Sequence, residues 1–301
     1  MTAEAPALGA APPSRSRRLA AWLYRHPRAQ LRLLLLGPLA WMIVVYLGSL
    51  FFLLLGAFWE EDPITGRLIP FDWTIEPFVS LVTNPVNWLI TLRTVGMAAL
   101  VTVTDVVIAF PIAYYMARMA SPRIRQLLVV AVVLPLWAAY LVKIYAWRII
   151  FQGNGFLEWV LGPLGVESPG LTELSSSWLV FSYLWLPYMI LPIYAGLERL
   201  PSSLLEASGD LGARAGQTFR RVVLPLVFPA VVAGSIFTFS LTLGDYIVPD
   251  LMSDAKFIGN VIYDNSILGS PALAAAFTLV PIAIMLIYLI VARRLGAFES
   301  L

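Results

Sequence analysis

The sequence predicts an all-α polytopic membrane protein with six transmembrane helices, and three observations support this. Hydrophobic residues fill 59% of its 301 positions and charged residues only 13%, whereas soluble domains run near about 45–50% and about 25%. Six apolar stretches approach or exceed the roughly 20 residues needed to cross a bilayer: Leu33 to Trp59, Leu89 to Met116, Leu127 to Phe151, Trp178 to Leu197, Val222 to Ile247 and Leu273 to Ala292. The intervening segments alternate in basic charge. All but Arg67, Arg93, Lys143, Arg148 and Lys256 of the twenty basic residues fall before the first stretch, after the sixth, or between the second and third and the fourth and fifth.

That asymmetry orients the chain. Basic loops stay in the cytoplasm, so both termini and the segment between the fourth and fifth stretches are expected there. The opposite face collects most of the acids, among them Glu60, Glu61, Asp62, Asp72, Glu76, Asp250, Asp254 and Asp264. An acidic outer face favours a cationic ligand or a complementary docking protein.

Residues 1–30 read as a basic cytoplasmic tail. They are rich in Ala, Pro and Arg and lack a short apolar core followed by a small-residue cleavage site, which argues for disorder rather than a secretory signal. A brief interfacial helix is expected over Leu19 to Tyr24. Pro63, Pro70, Pro77 and Pro85 interrupt the outer segment from Glu60 to Val86 and exclude a long helix there. The stretch GNGFLEWVLGPLG predicts a short amphipathic helix at the outer surface, with Phe156, Leu157, Trp159, Val160 and Leu161 at the interface. One membrane domain covers residues 31–301.

Several chemistries are excluded. The chain has no cysteine, so disulfides and thiolate metal sites are absent. Its one histidine, His26, lies in the basic tail, which leaves no internal imidazole for a metal or a general base. There is also no G-x-x-x-x-G-K-[ST] phosphate cradle, so this chain does not hydrolyse ATP. The expected cofactor set is empty, no nucleic acid is expected as a partner, and the lipid bilayer is.

The most informative segment runs from Glu206 to Pro225, EASGDLGARAGQTFRRVVLP, a polar and basic insert between two apolar runs. Ser203 and Glu206 stand in the S-x-x-E relation of a capping box, which predicts a helix start. Leu204, Ala207, Leu211, Ala215 and Phe219 then draw an apolar stripe at helical spacing, with Glu206, Asp210 and Arg214 on another side. Gly209, Gly212 and Gly216 interrupt it, and three residues costing roughly 1 kcal/mol each against alanine imply a bend or a close backbone approach. Pro225 suits the first turn of the next helix.

This segment resembles the EAA loop of permease subunits in binding-protein-dependent ABC importers, whose pattern is E-A-A, three residues, G, nine residues, I-x-L-P. Here it reads Glu206-Ala207-Ser208, Gly212, then Val222-x-Leu224-Pro225, with serine for the second alanine and valine for isoleucine. The stretches LPLWAAYLVKIYAW, GNGFLEWVLGPLGV and VPDLMSDAKFIGNVIYD are similar to those of polyamine-type permeases, the spermidine/putrescine B subunit and its relatives. This implies a type I ABC importer permease fold and a bacterial inner-membrane location. It also implies a heteromeric importer: a second similar permease, two copies of an ATPase that holds ATP and Mg, and an external solute-binding protein. The coupling loop would span residues 201–225. Its ATPase-coupling residues would be Glu206, Ala207, Ser208, Asp210, Gly212, Ala213, Arg214, Gln217, Phe219, Leu224 and Pro225. The same subgroup serves opines, thiamine, phosphonates and iron, so those solutes stand as the alternative to a polyamine.

Candidate path residues come from the spans themselves. Asp105 lies mid-membrane in VTVTDVVIAFP, where an ionised carboxylate is costly unless it faces protein, water or a partner. It reads either as a path residue or as a structural aspartate bonded to Thr102 or Thr104. Asp245 and Tyr246 follow Gly244, with Pro249 close behind, so the fifth helix is expected to unwind and present both side chains to a cavity, or to end in an ordinary cap. Trp137, Tyr140 and Tyr183 could surround an organic cation through cation–π contacts. Tyr145 and Trp147 read equally as an interfacial belt, while Pro187 and Pro192 predict a kinked fourth span. Lys143 and Arg148 could pair with outer acids, snorkel or meet the binding protein. An ion channel or a membrane enzyme would not need the Glu206 element, and an enzyme lacks a visible nucleophile and base.

Overall fold

The computed structural model describes residues 24–152, 155, 159, 174–267 and 269–294. The helices expected over Leu19 to Tyr24 and Phe156 to Leu161 lie outside these, apart from Tyr24 and Trp159. The chain divides into two compact units, Met1–Leu55 and Gly56–Leu301. The first holds almost all of α1 (Pro27–Gly56), which starts on a proline within its first turn, where the missing N–H is no loss. Pro38 interrupts its ladder, and a π-helical segment, Met42–Leu47, follows.

In the second unit three long helices pack together: α3 (Pro85–Met119), α6 (Leu174–Arg199) and α8 (Ala215–Gly244). Just before α3 lies the short helix α2 (Glu76–Thr83), and the Asn84 side chain accepts a 3.0 Å bond from Val86 N–H to cap α3. Ala98, Val101, Thr102, Asp105, Ala109, Ala113 and Met116 recur every three or four residues on α3 and are all buried. Such a stripe is what a helix needs to pack against protein rather than lipid. Met189, Ile193 and Leu197 of α6 and Val223 and Val227 of α8 complete that core. α6 continues as a helix through Pro187 and Pro192.

The third apolar stretch differs from its expected form. In place of one helix over Leu127 to Phe151, the chain forms α4 (Pro122–Trp137) and α5 (Tyr140–Phe151), bent by 94° at Ala138 and Ala139. Pro135 removes one backbone donor near the end of α4, and Lys143 Nζ turns back to donate to its carbonyl at 3.2 Å. Among the described residues, five helices, or six with this broken pair, are long and apolar enough to cross a membrane.

The proline-rich segment after α1 contains a hairpin that sequence reading did not anticipate, β1 (Trp59–Glu61) against antiparallel β2 (Leu68–Trp73). Asp62 Oδ1 accepts from Ile64 N–H at 2.8 Å and Thr65 N–H at 3.0 Å, an Asx turn that starts the loop. The bond from Thr65, then that from Ile64, holds the Asp62 carboxyl below the usual carboxylate range. Glu61 Oε1 accepts from Ser270 Oγ at 2.7 Å and Ala272 N–H at 2.6 Å, placing a carboxylate at the N-terminus of α11 (Pro271–Arg294), where the helix dipole favours negative charge.

After α8 the chain forms α9 (Ile247–Met252) and α10 (Ile258–Ile267). Gly259 lies against the end of α8, where an added Cβ would sit 2.6 Å from the Asp245 carbonyl oxygen. Gly259→Ala should therefore lower stability by about 1–3 kcal/mol, the usual cost of overpacking. Gly209→Ala, which meets nothing within 4 Å, should not. Thermal unfolding of both variants in detergent checks the contrast.

Candidate functional site

Two regions carry the chemistry-bearing residues. The polar insert folds as α7 (Ser202–Asp210), a turn, and the first residues of α8. The expected capping box is absent: α7 begins at Ser202 after Pro201 with no side-chain cap, so Ser203 is inside the helix rather than ahead of it. The apolar stripe likewise does not run along one helix, because the chain reverses at Gly212. There the Gly212 N–H bonds the Gly209 carbonyl at 2.8 Å and the Ala213 N–H bonds that of Ser208 at 3.1 Å. With Gly212 at φ +75°, this is a Schellman stop, which favours glycine because a Cβ disfavours left-handed backbone. Of the three interrupting glycines, only Gly212 makes the bend: all three face open space, and Gly212 alone has a positive φ.

Two hydrogen bonds then fix the arms of the turn. Ser208 Oγ lies 2.8 Å from Thr218 Oγ1, and Gln217 Oε1 accepts from the Arg214 N–H at 3.0 Å. Ser208 is buried and Ala213 half-buried, while Glu206, Ala207, Asp210, Gly212, Arg214, Gln217, Phe219, Leu224 and Pro225 are exposed. Leu211 at the apex is 88% exposed. A concavity of ≈ 520 Å³ opens beside it, lined by Leu204, Ala207, Leu211, Ala213, Gln217 and Arg221 among others. A protruding leucine, an apolar hollow and flanking charges make a surface suited to another protein.

The second region lies where α8 unwinds. Helix α8 stops at Gly244, and Asp245 and Tyr246 separate it from α9. The exposed peptide groups are satisfied by side chains. Asp245 Oδ1 accepts from Val248 N–H at 2.9 Å, and Asn260 Nδ2 donates to the Tyr246 carbonyl at 2.8 Å. The Tyr140 hydroxyl donates to Asp245 Oδ2, so the first residue of α5, just past the α4–α5 break, meets the α8 break. Tyr140 stacks on Trp185 with centroids 6.0 Å apart, and Trp185 abuts Tyr188 at the same distance. The Trp185 indole Nε1 is buried and has no acceptor.

Other expected residues lie elsewhere. Trp137 does not join Tyr140: it ends α4 and is 87% exposed, because the 94° break turns it away. Tyr183 packs edge-on against Trp147 at 5.4 Å, and Trp147 is half-buried against the core around Phe151 and Phe181. Tyr246 stacks on Tyr263 at 4.4 Å. Asp105 is 0% exposed and neither oxygen has a hydrogen-bond partner. Thr102 and Thr104 instead donate to the Ala98 and Leu100 carbonyls. The Ser182 hydroxyl approaches Asp105 from α6 without completing a bond.

The acids expected on the outer face are partly committed to structure. Lys256 Nζ lies 3.0 Å from Asp264 and 3.6 Å from Asp250, and the hydrogen bond to Asp264, opposed only in part by desolvation, holds its ammonium above the ordinary lysine range. Together with Glu61 and Asp62, these acids serve the fold before any ligand. Sequence reading missed Asn260, which is 2% exposed and whose amide oxygen also accepts from Phe257 N–H at 3.1 Å. It missed Thr94 as well, which accepts from Ile258 N–H at 3.1 Å. Their visible signal was a polar side chain within an apolar run, which does not by itself name a partner.

The family model for binding-protein-dependent transport system inner membrane components matches residues 109–298. The chain is 47% identical over 300 residues to the inner membrane ABC transporter permease protein YdcU of Escherichia coli (strain K12), covering 94% of this chain and 95% of that protein. It is 34% identical to the spermidine/putrescine transport system permease protein PotB of Haemophilus influenzae, over 74% of this chain and 78% of that one. Among solved structures, a bacterial ABC transporter involved in import of the acidic polysaccharide alginate superposes with a TM-score of 0.69 at 18% identity, covering 92% of this chain and 99% of the other. At that identity the likeness concerns the fold, which is that of type I importer permeases. The pattern around Glu206, the helical architecture and these matches agree: the chain belongs to the family of binding-protein-dependent transport system inner membrane components, the permease subunits of ABC importers.

Proposed function

We propose that this permease carries small organic cations of the polyamine type, and that Asp245, Tyr140, Tyr246 and the adjoining Trp185 form part of the path. The observation that carries this reading is the carboxylate at the unwound end of α8, held by Tyr140 and Val248 beside stacked aromatic rings. A carboxylate has about four acceptor sites, so two bonds leave capacity for an ammonium, and ring faces add cation–π attraction. The likeness to a permease named for spermidine and putrescine supports it. The more similar relative carries no solute in its name, so another small solute is the competing reading. Asp105 is a secondary candidate that would need α3 and α6 to part before meeting a solute.

As a family member the chain is a transport subunit rather than an enzyme, and nucleotide is handled by a partner ATPase. In the proposed assembly, a second permease and two ATPases join this chain, and an external binding protein delivers solute. The domain division proposed is a cytoplasmic tail over 1–30 and a permease domain over 31–301, with the coupling loop at 201–225. Both termini would be cytoplasmic. The exposed Leu211 and its neighbouring hollow would seat in the ATPase, and ATP-driven closure of the ATPases would rock the helices between inward-open and outward-open states.

Orientation can be tested by labelling, because the native chain has no cysteine. An impermeant thiol reagent should reach Asp254→Cys but not Gly216→Cys in cells whose outer membrane has been permeabilised; the opposite pattern would invert the topology. For coupling, Glu206→Lys reverses an exposed charge and Gly212→Val forces a β-branched residue into φ +75°. Both should lower solute-stimulated ATP hydrolysis and uptake by tenfold or more, about 1.4 kcal/mol, with normal membrane insertion. Unchanged hydrolysis and uptake in both variants would remove the loop from coupling.

The solute is tested in proteoliposomes holding the complete importer. Asp245→Asn should reduce spermidine or putrescine uptake strongly and Tyr140→Phe more mildly, at matched protein levels. A wild-type importer that moves only neutral or anionic solutes would defeat the cation assignment and leave the importer assignment standing.

A further inference from the structure

Helix α6 ends directly before the proposed coupling element, and its last carbonyls are not left to water. Arg118, near the cytoplasmic end of α3 under the proposed orientation, donates through Nη2 to the Leu197 carbonyl at 2.6 Å and also to the Leu200 carbonyl. A guanidinium suits this place because it is always charged, presents several donors in one plane and complements the negative C-terminal end of a helix. Leu200 is followed by Pro201, which opens α7. Arg118 therefore grips the backbone from which the coupling helix emerges.

The grip belongs to a closed circuit of contacts. From Arg118 it passes through the end of α6 into α7, then across Ser208 and Thr218 into α8. It returns to α3 where Phe219 packs edge-on against Phe110 at 5.2 Å. Both residues on which the circuit turns, Arg118 and Phe219, lie in π-helical segments, Tyr115–Met119 and Phe219–Val223. Single π turns inside α-helices hold a wide register and cluster at functional sites. The Arg118 Nε–H is buried without an acceptor in this arrangement, so the guanidinium has a donor in reserve beyond the one that serves the two carbonyls.

We infer that Arg118 is a positioning residue for energy coupling: it clamps the C-terminus of α6 to α3, so that movement of the Glu206–Arg221 element is delivered to α3 instead of being absorbed in the turn at Pro201. This rests on the coupling role proposed above. Arg118 touches neither nucleotide nor the Asp245 region; it acts through the Leu197 and Leu200 backbone.

The experiment uses the complete importer in proteoliposomes and reads solute moved per ATP hydrolysed, a ratio that simple loss of folded protein leaves unchanged. Arg118→Gln should lower the ratio roughly fivefold or more, the lower range of coupling between sites, while ATP hydrolysis persists. Arg118→Lys, which restores the charge but not the planar fork, should recover part of it. Arg123→Gln, at an exposed position nearby, should keep the wild-type ratio. An unchanged ratio in Arg118→Gln, or uptake and hydrolysis falling in proportion, overturns the clamp. If Arg118→Gln does not assemble, the lysine variant decides: a reduced ratio supports the inference and a wild-type ratio overturns it. Leu211→Cys carrying a photo-crosslinker separates the two levels in the same purified complex. Failure to capture the ATPase would sink the coupling reading itself, whereas capture with an unchanged ratio in Arg118→Gln would sink only the clamp.

Discussion

The constraint on which the rest of this structure depends is that a bilayer offers no water to a broken helix, so every peptide group released at a break must find a partner in the protein. The chain breaks twice within its apolar stretches, at Ala138–Ala139 and at Asp245–Tyr246. Lys143 serves the Pro135 carbonyl at the first, and Asp245 and Asn260 serve Val248 and Tyr246 at the second. The Tyr140–Asp245 bond joins the two. Polar groups that would be costly alone are thereby concentrated in one place, with the Trp185 ring stacked on Tyr140. A site that satisfies its own backbone and still holds spare carboxylate capacity is chemically equipped to exchange partners with a passing cation, which is why it anchors the proposed path.

The turn between α7 and α8 obeys the same accounting by other means. A chain reversing between two helices needs its terminal carbonyls and N–H groups satisfied, and the turn after α7 does so through Gly212 and the Ser208–Thr218 contact. The result is a compact, protruding turn with Leu211 at its apex. In the proposed coupling role rigidity there matters: a loop that could yield would dissipate a push from a partner, while one tied at both arms would pass it on. Charge plays a smaller role than the acid count suggests, since Glu61, Asp62, Asp250 and Asp264 are engaged in a helix cap, a turn and ion pairs.

Much of this was legible beforehand. Long apolar runs need only length and composition to be recognised, because the bilayer selects on those quantities directly, and five of the six expected spans are single helices. The unwinding after Gly244 was readable from a glycine, an aspartate and a nearby proline, all local signals. The bend at Gly212 was readable only as one of three possibilities, since all three glycines look alike until one is found at positive φ. The Ser203–Glu206 pair misled because the same spacing arises inside a helix that Pro201 has already started.

By itself, then, the sequence determined the membrane class, the expected sidedness and the resemblance of one segment to the EAA loop of importer permeases, since each is set by composition, charge asymmetry or a fixed local spacing. Only the tertiary structure decided which polar residues meet. Tyr140 and Asp245 are 105 positions apart, Arg118 and Leu197 are 79 apart, and Trp137 parts from Tyr140 although only two residues intervene. No periodicity encodes such pairings. They follow from how α3, α6 and α8 pack and where α4 and α5 break, and those arrangements are fixed by side-chain fit and backbone satisfaction across the whole domain.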